Sequence, residues 1–209
     1  MPVRLIETEA DLAEGAEHLA RVCPVWARVL PDLGPLPLRR RADGFEAIAS
    51  AIVGQQISTQ AAQAIWDRMA AAGLTGQQRL AAAGEEELRA AGLSRAKMRY
   101  LRGIAACGLD WDGLRVLPDD QAIAALVALP GIGAWTAEIY LKFALGRADV
   151  LAAGDLALQE AARLMYGLEA RPGPAALRAM AEPWRPWRAV AARGLWAYYR
   201  RAKGREGVR

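Results

Sequence analysis

The chain has 209 residues, a formal net charge of +4 and a sequence isoelectric point near 9.4. This length suits one compact domain or two small lobes, and the abundance of alanine, leucine and arginine over β-branched residues favours helices. No apolar run reaches the roughly 18 residues that cross a bilayer, and two cysteines are too few for a disulfide framework or a four-cysteine metal site. We therefore expect an all-α cytoplasmic protein.

Charged residues are segregated along the chain. The N-terminal stretch is acidic, with Glu7, Glu9, Asp11, Glu14 and Glu17. The C-terminal stretch is basic, with Arg185, Arg188, Arg193, Arg200, Arg201, Lys203 and Arg205. With the net positive charge, this distribution predicts a partner that carries phosphates.

Helix signals recur through the first half, with short connections. Asp43, followed by Glu46, is a capping-box pattern that predicts a helix ending near Gly54. Ser58 predicts the start of the next helix, and two short helices are expected at 77–83 and 85–91. Ser94 then predicts the start of a longer helix, whose buried stripe is Met98, Leu101 and Ile104 or Ala105.

The second half predicts helices at 120–128, 134–145, 156–166, 174–180 and 186–203. We expect all these helices to form two lobes flanking a cleft. The first lobe would comprise about 1–44 and 168–209. The second would comprise about 45–167 and contain a helical hairpin at 120–145.

The turn of this hairpin reads Leu129-Pro130-Gly131-Ile132-Gly133. Backbone amides at the start of the second helix, with the positive end of the helix dipole behind them, can hold an anion without a charged side chain. Glycine permits a positive φ and lets another backbone come close. The turn is either an ordinary helix connection or a site for a DNA phosphate.

Four blocks of sequence resemble the 3-methyladenine DNA glycosylase II family of the helix-hairpin-helix DNA glycosylase superfamily: FEAIASAIVGQQIS, GLSRAKMRYLRGIA, LVALPGIGAWTAEIYLKFALGRADVLAAGDLALQEA and RPWRAVAARGLWAYYR. They extend from about Phe45 to Arg200. The resemblance implies the helix-hairpin-helix glycosylase fold. The N-terminal β lobe of larger members is not expected here, because the 44 residues before Phe45 read as helices. It implies base excision repair, in which the enzyme flips out alkylated bases such as 3-methyladenine and 7-methylguanine and releases them by hydrolysis.

Asp155 occupies the place of the superfamily's catalytic aspartate, 22 residues after Gly133. Cleavage of an N-glycosidic bond builds positive charge on the sugar, so a nearby carboxylate stabilises the transition state and can orient or deprotonate the attacking water. An aspartate between glycine and a helix is also a common N-cap, and the two roles are compatible. The Ala152-Ala153-Gly154 loop lacks the proline or acidic residue found there in many relatives.

The resemblance also separates hydrolysis from strand cleavage. Relatives that cleave the strand use a lysine two residues after the second hairpin glycine, where this chain has Trp135. Lys142 lies about two helical turns further on. We therefore expect a monofunctional enzyme that leaves an abasic site.

Base and DNA contacts follow from the same resemblance. An aromatic pocket suits a cationic alkylated purine, and its predicted members are Trp135, Trp196, Tyr140 and Ile139. Gln56, beside Gln55, matches the residue that fills the gap in the base stack, although polar residues at a helix end also form turns. The predicted DNA contacts are Gln55, Gln56, Pro130, Gly131, Ile132, Gly133, Arg188 and Arg193, with Arg95, Lys97 and Arg99 as further phosphate candidates. Trp66, Trp111 and Trp184 are expected in the core or in lobe contacts.

Relatives bind a monovalent cation through hairpin carbonyls, for which Val127, Leu129 and Ile132 are the matching residues. No iron–sulfur cluster and no required cofactor are expected. The expected partner is damaged double-stranded DNA, bound by a monomer away from membranes. The alternative is a non-catalytic helix-hairpin-helix DNA-binding protein, which the presence of Asp155 disfavours.

Overall fold

The computed structural model describes residues 3–204, so Arg205 of the basic C-terminal stretch lies outside the described residues. The described chain contains twelve α-helices: α1 Glu9–Val22, α2 Pro24–Leu33, α3 Phe45–Gly54, α4 Thr59–Ala71, α5 Gln77–Ala82, α6 Glu85–Ala90, α7 Arg95–Ala106, α8 Asp119–Val127, α9 Ala134–Phe143, α10 Leu156–Tyr166, α11 Pro174–Met180 and α12 Arg188–Lys203. Short 3₁₀ turns occur at Gly113–Arg115 and Glu182–Trp184. No strand forms in this range, apart from an isolated bridge between Leu5 and Arg147. The predicted all-α class is confirmed.

The chain divides into two compact units. The central unit is Arg41–Tyr140, and the terminal unit combines the chain up to Arg40 with the chain from Leu141 onward. The predicted boundaries differ at 141–167, which we expected in the second lobe with the hairpin. These residues belong to the terminal unit because α10 packs mainly against α12.

The central unit is built around α7. Its buried residues Met98, Leu101, Ile104 and Ala105 form the predicted apolar stripe. The Ser94 side chain accepts a hydrogen bond from the Lys97 amide, so the predicted start of α7 is confirmed. Ser58 caps α4 in the same way, through the Ala61 amide.

The start of α3 differs from the prediction. Gly44, with φ of 86°, is the N-cap residue, and Asp43 instead forms a 2.7 Å ion pair with Arg115. The Gly44 amide donates to the Tyr140 hydroxyl at 2.8 Å. Asp43 is therefore not a helix cap, because a partner distant in sequence takes its carboxylate.

The terminal unit has a core rich in tryptophan and alanine. Trp26 and Trp184 are fully buried and meet edge to face, with ring centroids 5.6 Å apart. A Cβ at Gly194 would lie 2.6 Å from the Trp26 ring, so α12 comes this close because it has glycine there.

Trp66 and Trp111, the other tryptophans predicted in the core, are half-buried in the central unit. The Trp111 indole donates to the Gln77 side chain at 3.0 Å. Across residues 3–204, none of the helices has the length and apolar character that a bilayer crossing requires.

Candidate functional site

The turn between α8 and α9 depends on Gly131. Gly131 has φ of 81°, and a Cβ there would lie 2.6 Å from Cδ2 of the Tyr100 ring. Both the left-handed backbone and the packing against Tyr100 therefore require glycine. On the neighbouring turn of α7, Pro130 packs so closely on Gly103 that a Cβ at Gly103 would lie 2.7 Å from Cγ of the proline. The turn is thus seated directly on α7.

Gly133 serves a different purpose from Gly131. Its φ is outside the positive range, and a Cβ there would meet nothing within 4 Å. Gly133, Ala134 and Trp135 are exposed, and the first intrahelical bond of α9 runs from the Ala137 amide to the Gly133 carbonyl at 3.1 Å. The amides of the first turn precede that bond and point out of the helix start. This end of α9 therefore has the geometry of an anion site, with open space beside it.

The two glutamines that follow α3 have separate positions. Gln55 is half-buried, and its side-chain amide donates to the Gly131 carbonyl at 3.0 Å. Gln56 is exposed and has φ of 60°, an uncommon backbone conformation for a residue other than glycine. Gln55 thus ties the end of α3 to the hairpin turn, while the backbone at Gln56 is held in a strained conformation that is typical of functional sites.

Lys97 supports the same end of α3 rather than pointing into solvent. Its ammonium donates to the Val53 carbonyl at 2.6 Å, which satisfies a carbonyl in the last turn of α3. Burial lowers the pKa of Lys97 below the usual lysine value. Lys97, predicted as a phosphate candidate, instead helps to place Gln55 and Gln56.

Asp155 is the N-cap of α10. Its Oδ1 accepts hydrogen bonds from the amides of Ala157 at 2.8 Å and Leu158 at 3.4 Å. Its Oδ2 accepts a hydrogen bond from the Trp196 indole at 3.2 Å. The side chain is largely buried, with 8% of the residue exposed. The carboxylate is therefore held from both sides, by a helix start and by an aromatic side chain.

The loop before Asp155 contains no proline and is held by hydrogen bonds. The Asp155 amide donates to the Ala152 carbonyl at 2.9 Å, and the Ala153 amide donates to the Leu151 carbonyl at 2.8 Å. The buried side chain of Gln159 donates to the Ala153 carbonyl at 2.8 Å. Sequence reasoning missed Gln159, whose one signal is a polar residue on the apolar face of α10.

The four predicted pocket residues have different environments. Trp196 is half-buried and packs edge to face on Tyr199, with its indole nitrogen on Asp155. Trp135 is a large exposed apolar residue, with 49% of its surface accessible, and Ile139 is half-buried one turn later. Tyr140 is buried, and burial raises the pKa of its hydroxyl, which accepts from Gly44. Its hydroxyl therefore anchors the start of α3, so we withdraw Tyr140 from the predicted pocket.

The structure corrects both predicted arginine contacts. Arg188 forms ion pairs with Asp149 at 2.8 Å and Glu182 at 3.3 Å, so its charge is already matched. Arg193 is buried, with 3% exposed, and donates to the carbonyls of Ala189 and Leu38. Burial and the positive charges of neighbouring arginines lower the pKa of Arg193 to about 10. Neither side chain lies open for a DNA phosphate.

The predicted cation ligands lie at the end of α8 and in the turn. The Leu129 carbonyl accepts the Ile132 amide at 3.2 Å, and a carbonyl oxygen has a second lone pair for a cation. Main-chain oxygens suit a monovalent cation, so these residues fit the group that the resemblance implies. Within the part of the chain that the structure describes, no cluster of three or more His, Cys, Asp or Glu side chains is placed to hold a metal.

A helical hairpin whose second helix starts with exposed amides, followed along the chain by a helix-capping aspartate, defines a helix-hairpin-helix protein with a candidate carboxylate active site. The family model of the HhH-GPD superfamily base excision DNA repair proteins matches residues 49–186. The chain therefore belongs to the HhH-GPD superfamily, and the family prediction is confirmed.

Similar proteins share both sequence and fold. A DNA-3-methyladenine glycosidase from Bacillus halodurans is 31% identical, with a TM-score of 0.81 over 98% of this chain and 96% of that one. A Schizosaccharomyces pombe 3-methyladenine DNA glycosylase in complex with abasic DNA is 27% identical, with a TM-score of 0.74 over 91% of this chain and 97% of that one. Escherichia coli DNA-3-methyladenine glycosylase 2 is 31% identical over 74% of this chain and 57% of its own length. The names of these proteins agree with the predicted class of activity, an alkylbase DNA glycosylase.

Proposed function

We propose that this protein is a monofunctional DNA glycosylase that hydrolyses the N-glycosidic bond of alkylated bases, such as 3-methyladenine and 7-methylguanine, in double-stranded DNA. The observation that carries the proposal is the Asp155 carboxylate, fixed between the start of α10 and the Trp196 indole. The fold and the names of similar proteins support the same activity.

Asp155 has the chemistry that the reaction needs. As the bond to the base breaks, the sugar becomes positively charged, and a carboxylate held in advance stabilises that charge without having to reorganise. Three hydrogen-bond donors set the orientation of this carboxylate. The same group can orient the water that attacks the anomeric carbon or accept its proton. We assign Asp155 as the catalytic residue.

For an alkylated base, the site must bind the base, and it does not have to supply a general acid that protonates it. Many alkylated purines carry a positive charge, so they leave without protonation and interact favourably with aromatic faces. We propose that Trp196, beside Asp155, contacts the flipped base and that the exposed Trp135 offers a further aromatic surface. Ile139 stays a prediction for the same role.

The start of α9 is the proposed phosphate site. Its amides and dipole bind an anion without a charged side chain, and a monovalent cation held by the turn's carbonyls would offset the charge of the phosphate. We propose that Gln56 fills the space left in the base stack when the damaged base is flipped out, at a cost of a few kcal/mol. Gln56 is exposed, has a left-handed backbone and is the second residue after the end of α3, which supports this role.

We propose that strand cleavage does not accompany base release. Trp135 stands where lyase relatives have their nucleophilic lysine. Lys142, the next lysine along α9, is 1% exposed and lies over the Phe143 ring, with Nζ 4.5 Å from its centroid. A Schiff-base nucleophile must reach the sugar carbon, and a lysine packed in this way is poorly suited to do so.

The direct test is incubation of the protein with methylated duplex DNA. Release of free 3-methyladenine and 7-methylguanine supports the proposal. Strand breaks in the enzyme-treated DNA should appear only after alkali is added. Breaks before alkali would contradict the monofunctional assignment. DNA binding without any base release would favour the non-catalytic alternative. One protomer contains all the proposed site residues, so we propose a monomer, which size-exclusion chromatography can check.

A further inference from the structure

Most arginines of the central unit already have partners. Five of them donate to a carboxylate or a backbone carbonyl: Arg68, Arg79, Arg89, Arg102 and Arg115. Arg99, on α7, is different. It is exposed, and among residues 3–204 the contact made by its guanidinium is with an aromatic ring, where Cζ lies 5.4 Å from the centroid of Tyr100. Its charge is therefore available to a partner.

The same Tyr100 ring supports the hairpin. A Cβ at Gly131 would lie within about 3 Å of three ring atoms of Tyr100, so the ring is in direct contact with the turn. The Tyr100 side chain thus contacts both the turn and the Arg99 guanidinium. Arg95 lies one turn earlier on α7, also exposed, so α7 presents a basic edge beside the hairpin.

The turn of the hairpin, residues 129–133, has no cationic side chain. It reads Leu-Pro-Gly-Ile-Gly, and its hold on an anion depends on amides and the helix dipole. A guanidinium binds phosphate oxygens through paired hydrogen bonds, and one that is already stacked on a ring loses less freedom when it binds.

We propose that Arg99 binds a DNA phosphate next to the one held by the hairpin amides, with Tyr100 as its positioning residue. The proposal rests on the function proposed above. It adds a phosphate contact from α7 to the hairpin site. Three observations support the inference together. Arg99 has an unpaired charge, its guanidinium lies over the Tyr100 ring, and that ring contacts Gly131.

The test is the salt dependence of binding to undamaged duplex DNA, measured by fluorescence anisotropy over a series of KCl concentrations. Each phosphate neutralised on duplex DNA contributes about 0.9 to the slope of log K against log salt. This slope is negative, and Arg99→Ala should reduce its magnitude by about 0.9. The matched control is Arg89→Ala, which removes an exposed arginine of the same unit that is paired with Glu85 and should leave the slope unchanged. An unchanged slope in Arg99→Ala would overturn the inference.

Two further variants test whether Tyr100 positions Arg99. Tyr100→Phe keeps the ring and should keep the wild-type slope, whereas Tyr100→Leu should weaken binding in the same direction as Arg99→Ala. A Tyr100→Leu protein that is folded by circular dichroism and binds like the wild type would remove the positioning role. Base release by the wild type is measured separately, on methylated DNA. Release together with an unchanged Arg99→Ala slope would leave the proposed function standing and this inference refuted.

Discussion

The candidate sites of the two units are built from different parts of the polypeptide. In the central unit the candidate DNA contact is backbone, the amides at the start of α9, and side chains such as Tyr100 and Gln55 hold that backbone in place. In the terminal unit the candidate group is a side chain, the Asp155 carboxylate, and backbone amides hold it in place. A helix N-terminus lies at both candidate sites. The one in the central unit is proposed to bind an external anion, and the one in the terminal unit orients the Asp155 carboxylate.

This difference predicts different responses to mutation. Changes at the terminal-unit site should reduce the chemical rate and leave DNA binding in place. Changes at the central-unit site should reduce DNA binding or folding.

The largest expected effect is that of Asp155→Asn. The amide keeps the shape of the side chain and removes its charge, so base release should fall by about 10²–10³-fold, as for the loss of one preorganised electrostatic group. Binding to DNA that contains an abasic-site analogue should be retained. Single-turnover release from methylated DNA measures the rate, with the exposed Asp32→Asn as control. Undiminished release would remove Asp155 from the catalytic role.

Trp196→Phe should have the next largest effect. It keeps an aromatic ring and removes the hydrogen bond to Oδ2 of Asp155, a loss of about 1–3 kcal/mol for a largely buried charged acceptor. If this bond orients the carboxylate, the single-turnover rate should fall by about tenfold or more. A wild-type rate would show that the start of α10 orients the carboxylate by itself. Tyr199→Phe is the control, because it keeps the ring that packs on Trp196.

The two hairpin glycines should separate folding from binding. Gly131→Ala places a Cβ against the Tyr100 ring at a positive φ and should lower the free energy of unfolding by about 1–3 kcal/mol. Gly133→Ala meets open space and should leave stability within about 0.5 kcal/mol of wild type. Urea denaturation and DNA anisotropy measure the two effects. Gly133→Ala should weaken DNA binding, because its Cβ would occupy space beside the proposed phosphate site. An unchanged DNA affinity would show that the DNA phosphate does not come close to Gly133.

The smallest effect is expected for Gln56→Gly. Glycine accepts the left-handed backbone, so stability should be unchanged or higher by up to about 1 kcal/mol. Release from duplex DNA should fall several-fold, because nothing fills the vacated position in the base stack. Release from methylated single-stranded DNA should not change. Equal losses on both substrates would argue against the stacking role.

Local patterns predicted much of the fold. Ser58 and Ser94 were identified as helix caps because a cap bonds to an amide three residues away, a relation that can be read along the chain. Asp155, the N-cap of α10, is equally local, because it accepts from the amides two and three residues further on. Asp43 was mistaken for a cap because its partner, Arg115, is 72 residues away.

The charged and aromatic site residues were less predictable. Arg188 and Arg193 are basic residues on a helix, and nothing in their local pattern separates them from Arg99. The structure separates them, because Arg193 is buried against Phe143 and Arg188 is paired with Asp149. Both contacts depend on tertiary packing. Tyr140 was expected at a pocket because of its place in the motif, whereas its hydroxyl bonds to Gly44, far away in the sequence.

The sequence by itself determined the helices, the hairpin turn and the aspartate at the start of α10, because capping, turn formation and helical periodicity act over a few residues. Only the tertiary structure decided which arginines form internal ion pairs or hydrogen bonds, which hairpin glycine is required by packing, and which side chain binds Oδ2 of Asp155. Those outcomes depend on contacts between residues far apart in the chain, and such contacts form only when the helices have packed.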